Sequence, residues 1–186
     1  MRPKMFCLMI PLMMSVAACM HASVTKEEST MKLELTSSAF KEGDSIPTRH
    51  TCDGEDASPA LRWSGVPAGA KSLALICDDP DAPSGTWVHW VLYDMPTSAS
   101  DLPEAVPASE VTPQGAKQGT NDFRRLGYGG PCPPPGKAHR YFFKLYALDQ
   151  LSNLKAGATK AQLETAMKGH ILAEGQLMGT YKRAEK

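Results

Sequence analysis

Short apolar runs cut by proline and glycine are what most constrains this chain from Met31 onward. KLELTSSAF (32–40), KSLALICD (71–78), TWVHWVLYDM (86–95) and RYFFKLYALD (140–149) are rich in aromatic and branched residues and bounded by turn formers, the pattern of β-strands. The punctuation between runs is dense: Gly43-Asp44, Asp53-Gly54, Pro67-Ala68-Gly69 and Pro83-Ser84-Gly85. Such a series predicts a mainly β fold, a sandwich or barrel. One helix is signalled: Thr159 caps it, Gln162 completes a capping box, and Leu163 and Met167 share a face before Gly169 stops it. The stretch 171–181 is expected to include a final strand. Residues 98–125 lack periodicity, are rich in Pro, Gly, Gln and Asn, and are expected to form a long surface excursion.

The first 30 residues belong to another regime. Arg2 and Lys4 precede an apolar run from Met5 to Val16, which is shorter than the roughly 20 residues a membrane-spanning helix needs. With Ala17 and Ala18 following, residues 1–18 are expected to be a secretory signal. Val16-Ala17-Ala18-Cys19 resembles a lipobox, which would make Cys19 a lipidated N-terminus in the bacterial cell envelope, on the periplasmic side; ordinary signal cleavage nearby is the alternative. Residues 19–30 are then a polar tether and 31–186 a single domain. Removing Arg2 and Lys4 from 20 basic residues leaves 18 against 20 acidic ones, a net charge of −2. No basic stripe is visible, so nucleic-acid binding lacks its electrostatic footprint.

Cys77 lies in an apolar run and is expected to be a buried thiol. Cys52 and Cys132 both sit in loops, and an exported protein meets oxidising conditions in which they can pair. Spacing alone does not show that they meet. With no CxxC pair, a structural zinc site is not expected.

Two stretches carry chemistry. In DDPDAPSGTWVHW (78–90), prolines stiffen a turn bearing Asp79 and Asp81, and period two then places Trp87, His89, Val91 and Tyr93 on one face. In GYGGPCPPPGKAHRYFF (127–143), a glycine and proline loop ends at a strand whose His139, Tyr141, Phe143 and Leu145 share one face. The N–H groups of Gly127, Gly129 and Gly130 are candidates for an anion-binding concavity. A carboxylate against one nitrogen of a histidine fixes its tautomer, and Asp79 is expected to orient a histidine rather than touch a ligand. Arg140 has the opposite strand parity from His139 and is expected to be structural, paired with an acidic residue.

Together, DPDAP, the WVHW strand and GGPCPPPGKAHRYFF resemble the phosphatidylethanolamine-binding protein family, most closely its bacterial, Raf-kinase-inhibitor-like branch. TCDGEDASPALRWSGVP, NDF before the loop and GATKAQLETAMKGHILAEGQLMGTY extend the resemblance over about residues 31–181. The resemblance implies a two-sheet antiparallel β-sandwich with a few peripheral helices and a small pocket for phosphate-like anions. Asp79 and Asp81 match the aspartates of the family's DPDxP motif, His89 its first pocket histidine, Gly130 and Pro131 its rim, and His139, Arg140 and Tyr141 its HRY motif. Asp79, Asp81, His89, Gly130, Pro131, His139 and Tyr141 are therefore the candidate ligand-binding residues. Cys132 and the extra prolines beside the rim depart from the wider family pattern. The bacterial branch implies a homodimer.

The expected function is that of an exported binding protein for phosphate or a phospholipid headgroup, without a cofactor. The alternative is an inhibitor or interaction protein acting on a periplasmic or surface partner through residues 98–125. A hydrolase is disfavoured because no G-x-S-x-G nucleophile elbow occurs, and a metalloenzyme because the two histidines lack the tight spacing of common metal sites.

Overall fold

The computed structural model describes residues 31–184; the expected signal, Cys19 and the tether lie outside the described residues. Among the described residues, nine strands and one α-helix follow in chain order, with a short 3-10 turn at Thr48–His50: β1 (Met31–Lys32), β2 (Glu34–Ser37), β3 (Leu61–Ser64), β4 (Ser72–Asp79), β5 (Trp87–Met95), β6 (Asp101–Leu102), β7 (Lys117–Gln118), β8 (His139–Leu148), α1 (Lys160–Met167) and β9 (Ile171–Tyr181). The strands form a six-stranded sheet in the order β1-β9-β8-β4-β5-β7 and a three-stranded sheet in the order β2-β3-β6. Pairing is antiparallel except between β1 and β9.

The four long runs are the strands expected, with one difference. The run 32–40 is not one strand: β1 joins the large sheet, while β2 joins the small one. The Leu33 N–H still donates to the Glu174 carbonyl at 2.8 Å, after which the chain crosses from one layer to the other. Leu33 and Leu35, two residues apart and so on one side of the chain, are both buried in the main core.

Every residue of β4 is buried, as expected of a strand with neighbours on both edges and packed layers on both faces. One face meets the small sheet, where Leu35, Leu61, Trp63, Leu73, Leu75, Trp90, Phe143 and Leu145 form the main core. The other face meets α1, where Ala74, Ile76, Val91, Leu163 and Met167 pack. Each of the larger of these side chains contributes roughly 1.5–3 kcal/mol of burial. The helix starts as expected. Thr159 accepts from the Gln162 N–H, and the Gln162 side chain returns a bond to the Thr159 N–H.

Residues 98–125 are more embedded than a surface excursion. They supply β6 and β7, and Val106, Ala116, Gln118 and Asn121 are buried. Gln118 accepts from the Trp90 indole at 3.0 Å and donates to the carbonyls of Pro107 and Ser109 at 2.7 and 2.9 Å. A buried amide whose donors and acceptor are all matched anchors an otherwise aperiodic segment.

On the helix side, the buried Asp78 carboxylate receives Lys144 at 2.8 Å and Lys160 at 2.5 Å, tying α1 to the sheet. Asp78→Ala is expected to lower stability by roughly 3 kcal/mol in urea unfolding, because it leaves two partly buried ammonium groups without their counter-charge. A loss below about 1 kcal/mol would mean that water satisfies both lysines, as at an exposed ion pair.

Candidate functional site

The site forms where β4 ends, β5 begins and β8 begins, at one end of the large sheet. In the β4–β5 register Cys77 faces Trp90 and Asp78 faces Val88, so His89 between them has no partner and is the extra residue of a β-bulge. Period two therefore fails here. Val88 and Val91, three residues apart, both pack on the α1 side, whereas His89 turns toward Tyr141 and Phe123. The expectation that His89, Val91 and Tyr93 share a face is overturned by this bulge, which re-aims one side chain without ending the strand. On β8 the alternation holds: His139, Tyr141, Phe143 and Leu145 are buried and Arg140 is exposed.

Both histidines are buried, and each has its Nδ1 bound to an acceptor. His89 Nδ1 bonds the Gly129 carbonyl at 2.6 Å. His139 Nδ1 bonds Asp79 Oδ2 at 2.8 Å. Asp79 Oδ1 accepts the Asp81 N–H at 2.8 Å, so both oxygens of this buried carboxylate have partners. A carbonyl and a carboxylate oxygen accept, so both Nδ1 atoms carry hydrogens, and each ring's Nε2 makes no close hydrogen bond among the described residues. Asp79, His89 and His139 line one cavity of about 310 Å3 together with Trp87, Phe123, the turn 82–84, Cys132, Pro133 and Pro134. This size is at the small end of ligand pockets. The Trp87 indole N–H is buried there without a hydrogen-bond partner among the described residues.

Four other expected residues stand outside the cavity lining. Asp81 is taken by Arg140, whose Nε donates to Oδ2 at 2.8 Å and whose Nη2 donates to Oδ1 at 2.7 Å. Those bonds hold the Asp81 carboxyl down at about 2. Gly130 donates its N–H to Asp56 Oδ1 at 2.5 Å, and Gly129 donates to the His89 carbonyl at 2.9 Å, so neither amide is open to an anion. The Pro131 carbonyl accepts from Cys52 N–H at 3.1 Å. Tyr141 lies behind His89, ring to ring at 5.1 Å and nearly perpendicular. Burial, reinforced by the Asp79 charge, raises its phenol pKa. The rim facing the cavity is thus one step along the chain, at Cys132, Pro133 and Pro134.

Gly130 allows that placement. A Cβ there would collide with the His50 carbonyl oxygen and come within 2.8 Å of Thr51 Cα, so only glycine lets the loop lie on residues 50–51. Cys52 and Cys132 form a disulfide with Cα atoms 5.4 Å apart, fastening the same two segments covalently. Cys77 is a free, buried thiol, and burial raises its pKa. The residue that motif reading missed is Phe123. Its ring sits 5.4 Å from the His89 ring and 5.5 Å from Trp87, and the only sequence signal was its place in the NDF tripeptide.

The class this geometry defines is a two-sheet β protein with a histidine-lined pocket at one end of the larger sheet. The sequence profile of the phosphatidylethanolamine-binding protein family matches residues 36–182, and the chain belongs to that family. It is 54% identical over 151 residues to a UPF0098 protein of Methanothermobacter thermautotrophicus, covering 81% of this chain and 99% of that one. Among solved structures it resembles a phosphatidylethanolamine-binding protein homologue, CT736, of Chlamydia trachomatis (TM-score 0.74, 42% identity, 82% and 99% coverage). It also resembles Escherichia coli YbcL, a member of the same family (TM-score 0.76, 34% identity, 82% and 99% coverage).

Burial lowers the His89 pKa below its ordinary 6.5, against the Gly129 carbonyl and the Asp79 charge, which raise it. The unfolded chain therefore takes up this proton at higher pH than the folded one. The His89 contribution is fully favourable above pH 6.5 and is lost as pH falls below it. Urea midpoints measured from pH 7.5 to 5.5 are expected to fall more steeply for wild type than for His89→Gln, by at most about 1.4 kcal/mol per pH unit. Parallel curves would place His89 in solvent.

Opening the disulfide is expected to cost about 4 kcal/mol, because it closes a loop of 80 residues. Guanidinium unfolding of Cys52→Ser/Cys132→Ser against the oxidised wild type measures this.

Proposed function

We propose that this chain is an exported binding protein whose cavity takes a phosphate-like anion, either phosphate itself or the phosphorylated part of a phospholipid headgroup. The observation that carries this is the matched pair of buried histidines, each with Nδ1 committed to an acceptor and Nε2 left for one shared cavity. The unpartnered Trp87 indole N–H supports it, since a buried donor calls for an acceptor. Export draws support from the N-terminal pattern of a charged start, an apolar run and small residues before Cys19, and from a disulfide suited to an oxidising compartment. The same pattern supports a periplasmic, lipid-anchored location. We read the site as one of recognition rather than catalysis, because each histidine is oriented by an acceptor at Nδ1.

The geometry makes binding proton-linked. A neutral ring whose Nδ1–H is engaged presents a lone pair at Nε2. An anion is held by both rings only if each ring gains a proton or meets a P–OH, and dihydrogen phosphate brings two such groups where hydrogen phosphate brings one. Asp79 and Asp122 are the carboxylates whose charges act on His89, and both favour its protonated form.

Isothermal titration with inorganic phosphate tests this. Affinity is expected to fall between pH 6 and pH 8, by up to about tenfold per pH unit for one linked proton. His89→Ala and His139→Ala are each expected to weaken binding roughly ten- to hundredfold at pH 6, as for loss of a hydrogen bond to a charged group. Unchanged affinity in both variants would overturn the reading. A partner captured from the cell envelope whose retention survives both substitutions would favour the interaction-protein alternative.

A further inference from the structure

We propose that the Cys52–Cys132 disulfide is a site of thiol–disulfide exchange, through which a dithiol releases the proline wall of the histidine-lined cavity. Both cysteines are exposed, and Cys132 itself lines the cavity beside Pro133 and Pro134. One covalent bond is thus open to an attacking thiolate and also fastens the wall it belongs to. Exchange depends on such access.

The loop 127–138 is held in two different ways. Its first part is hydrogen-bonded at every residue. The Gly127 carbonyl accepts from Asn121 Nδ2 at 2.9 Å, the Tyr128 hydroxyl donates to the His50 carbonyl at 2.8 Å, and Gly129 N–H donates to the His89 carbonyl at 2.9 Å. Gly130 N–H donates to Asp56 at 2.5 Å, and the Pro131 carbonyl accepts from Cys52 N–H at 3.1 Å. Beyond Pro131 these bonds stop. Among the described residues, 132–138 make no hydrogen bond or ion pair. Pro133, Pro134 and Pro135 have no N–H to donate, so the stretch has little with which to bond. The chain is next fixed at His139, where β8 begins and Nδ1 meets Asp79. Pro133 is buried, so apolar contact is what remains to hold the wall once the disulfide opens.

Opening is therefore local. The Gly129 carbonyl that orients His89 and the Asp79 carboxylate that orients His139 keep their own bonds. The wall at 132–134 loses its fixed end. Exchange changes how firmly the cavity is bounded and leaves the histidine pair in place.

The chemistry balances without any further reactant. One thiolate of the dithiol attacks a sulfur of the disulfide and forms a mixed disulfide, while the other cysteine leaves as a thiolate and takes a proton. The second thiol of the dithiol then closes its own disulfide and frees the first cysteine. The protein gains two electrons and two protons, and the dithiol loses the same. Cys77 takes no part, because it is buried and burial keeps its thiol protonated.

Dithiothreitol is the probe, and the buried Cys77 serves as an internal control. Trapping of the reduced protein with iodoacetamide, followed by peptide mapping, is expected to label Cys52 and Cys132 and to leave Cys77 unlabelled. Lys137 is exposed within the freed stretch. Trypsin is expected to cut after it at least roughly tenfold faster in the reduced protein, with cutting elsewhere in 31–181 unchanged. Cys52→Ser/Cys132→Ser is expected to show the reduced pattern with or without dithiothreitol. Label on Cys77, or faster cutting throughout the domain, means that reduction unfolds it, and overturns the proposal. So does a folded, reduced protein cut after Lys137 at the oxidised rate, and so does a disulfide that resists dithiothreitol in the folded chain.

A last readout rests on the anion reading above. Protein reduced at pH 8 and transferred to pH 6 is expected to bind inorganic phosphate roughly three- to tenfold more weakly than the oxidised form, because a wall no longer fixed has to be ordered on binding. Equal affinity overturns the wall's part in binding. An oxidised protein that binds no phosphate retires the anion reading and leaves the exchange to be decided by label and trypsin.

Discussion

The hydrogen bond from His139 to Asp79 is the interaction on which the site depends. A carboxylate buried between strands is costly unless its oxygens are matched, and Asp79 matches them with an imidazole N–H on β8 and the Asp81 amide in its own turn. That arrangement sets the tautomer of His139 and leaves its other nitrogen for the cavity. Neighbouring charges have a different duty. Asp81 and Arg140 form an exposed bidentate pair that pins the turn to the strand, two residues from the buried pair on the turn and one residue from it on β8. The DPD sequence thus separates into an orienting carboxylate and a fastening one.

The two walls of the cavity are made rigid by different means. The proline side relies on fixed φ angles and on a covalent link to residues 50–52. The aromatic side relies on a strained turn, a cation over a ring and one carboxylate shared between loop and turn. Walls fixed in advance lower the ordering cost of taking a small ligand, which suits a cavity that offers few contacts.

Much of the fold was legible. The four apolar runs became β4, β5, β8 and the β1–β2 region, and the capping box at Thr159 and Gln162 began a helix where its spacing placed it. Local signals sufficed because alternation, turn residues and caps act within a few residues. The site was legible at His89, His139 and Asp79, and less so elsewhere. Gly130 and Pro131 sit one step from the lining because their polar groups are taken by Asp56 and Cys52, partners more than 70 residues away. Residues 98–125 looked like a free excursion because the anchor at Gln118 depends on Trp90 and on carbonyls that only the folded chain brings within reach.

The amino-acid order alone determined where the three long strands β4, β5 and β8 run, that prolines would stiffen the two loops, and that Arg140 would face away from His139. These follow from backbone sterics and from the two-residue period of a strand. Tertiary structure decided which way His89 points, which carboxylate meets which histidine and which ring lines the cavity beside His89. A one-residue bulge reverses side-chain direction without altering composition, and contacts between distant segments leave no local trace. For that reason a histidine pair could be read from the chain, while the wall beside it had to be seen folded.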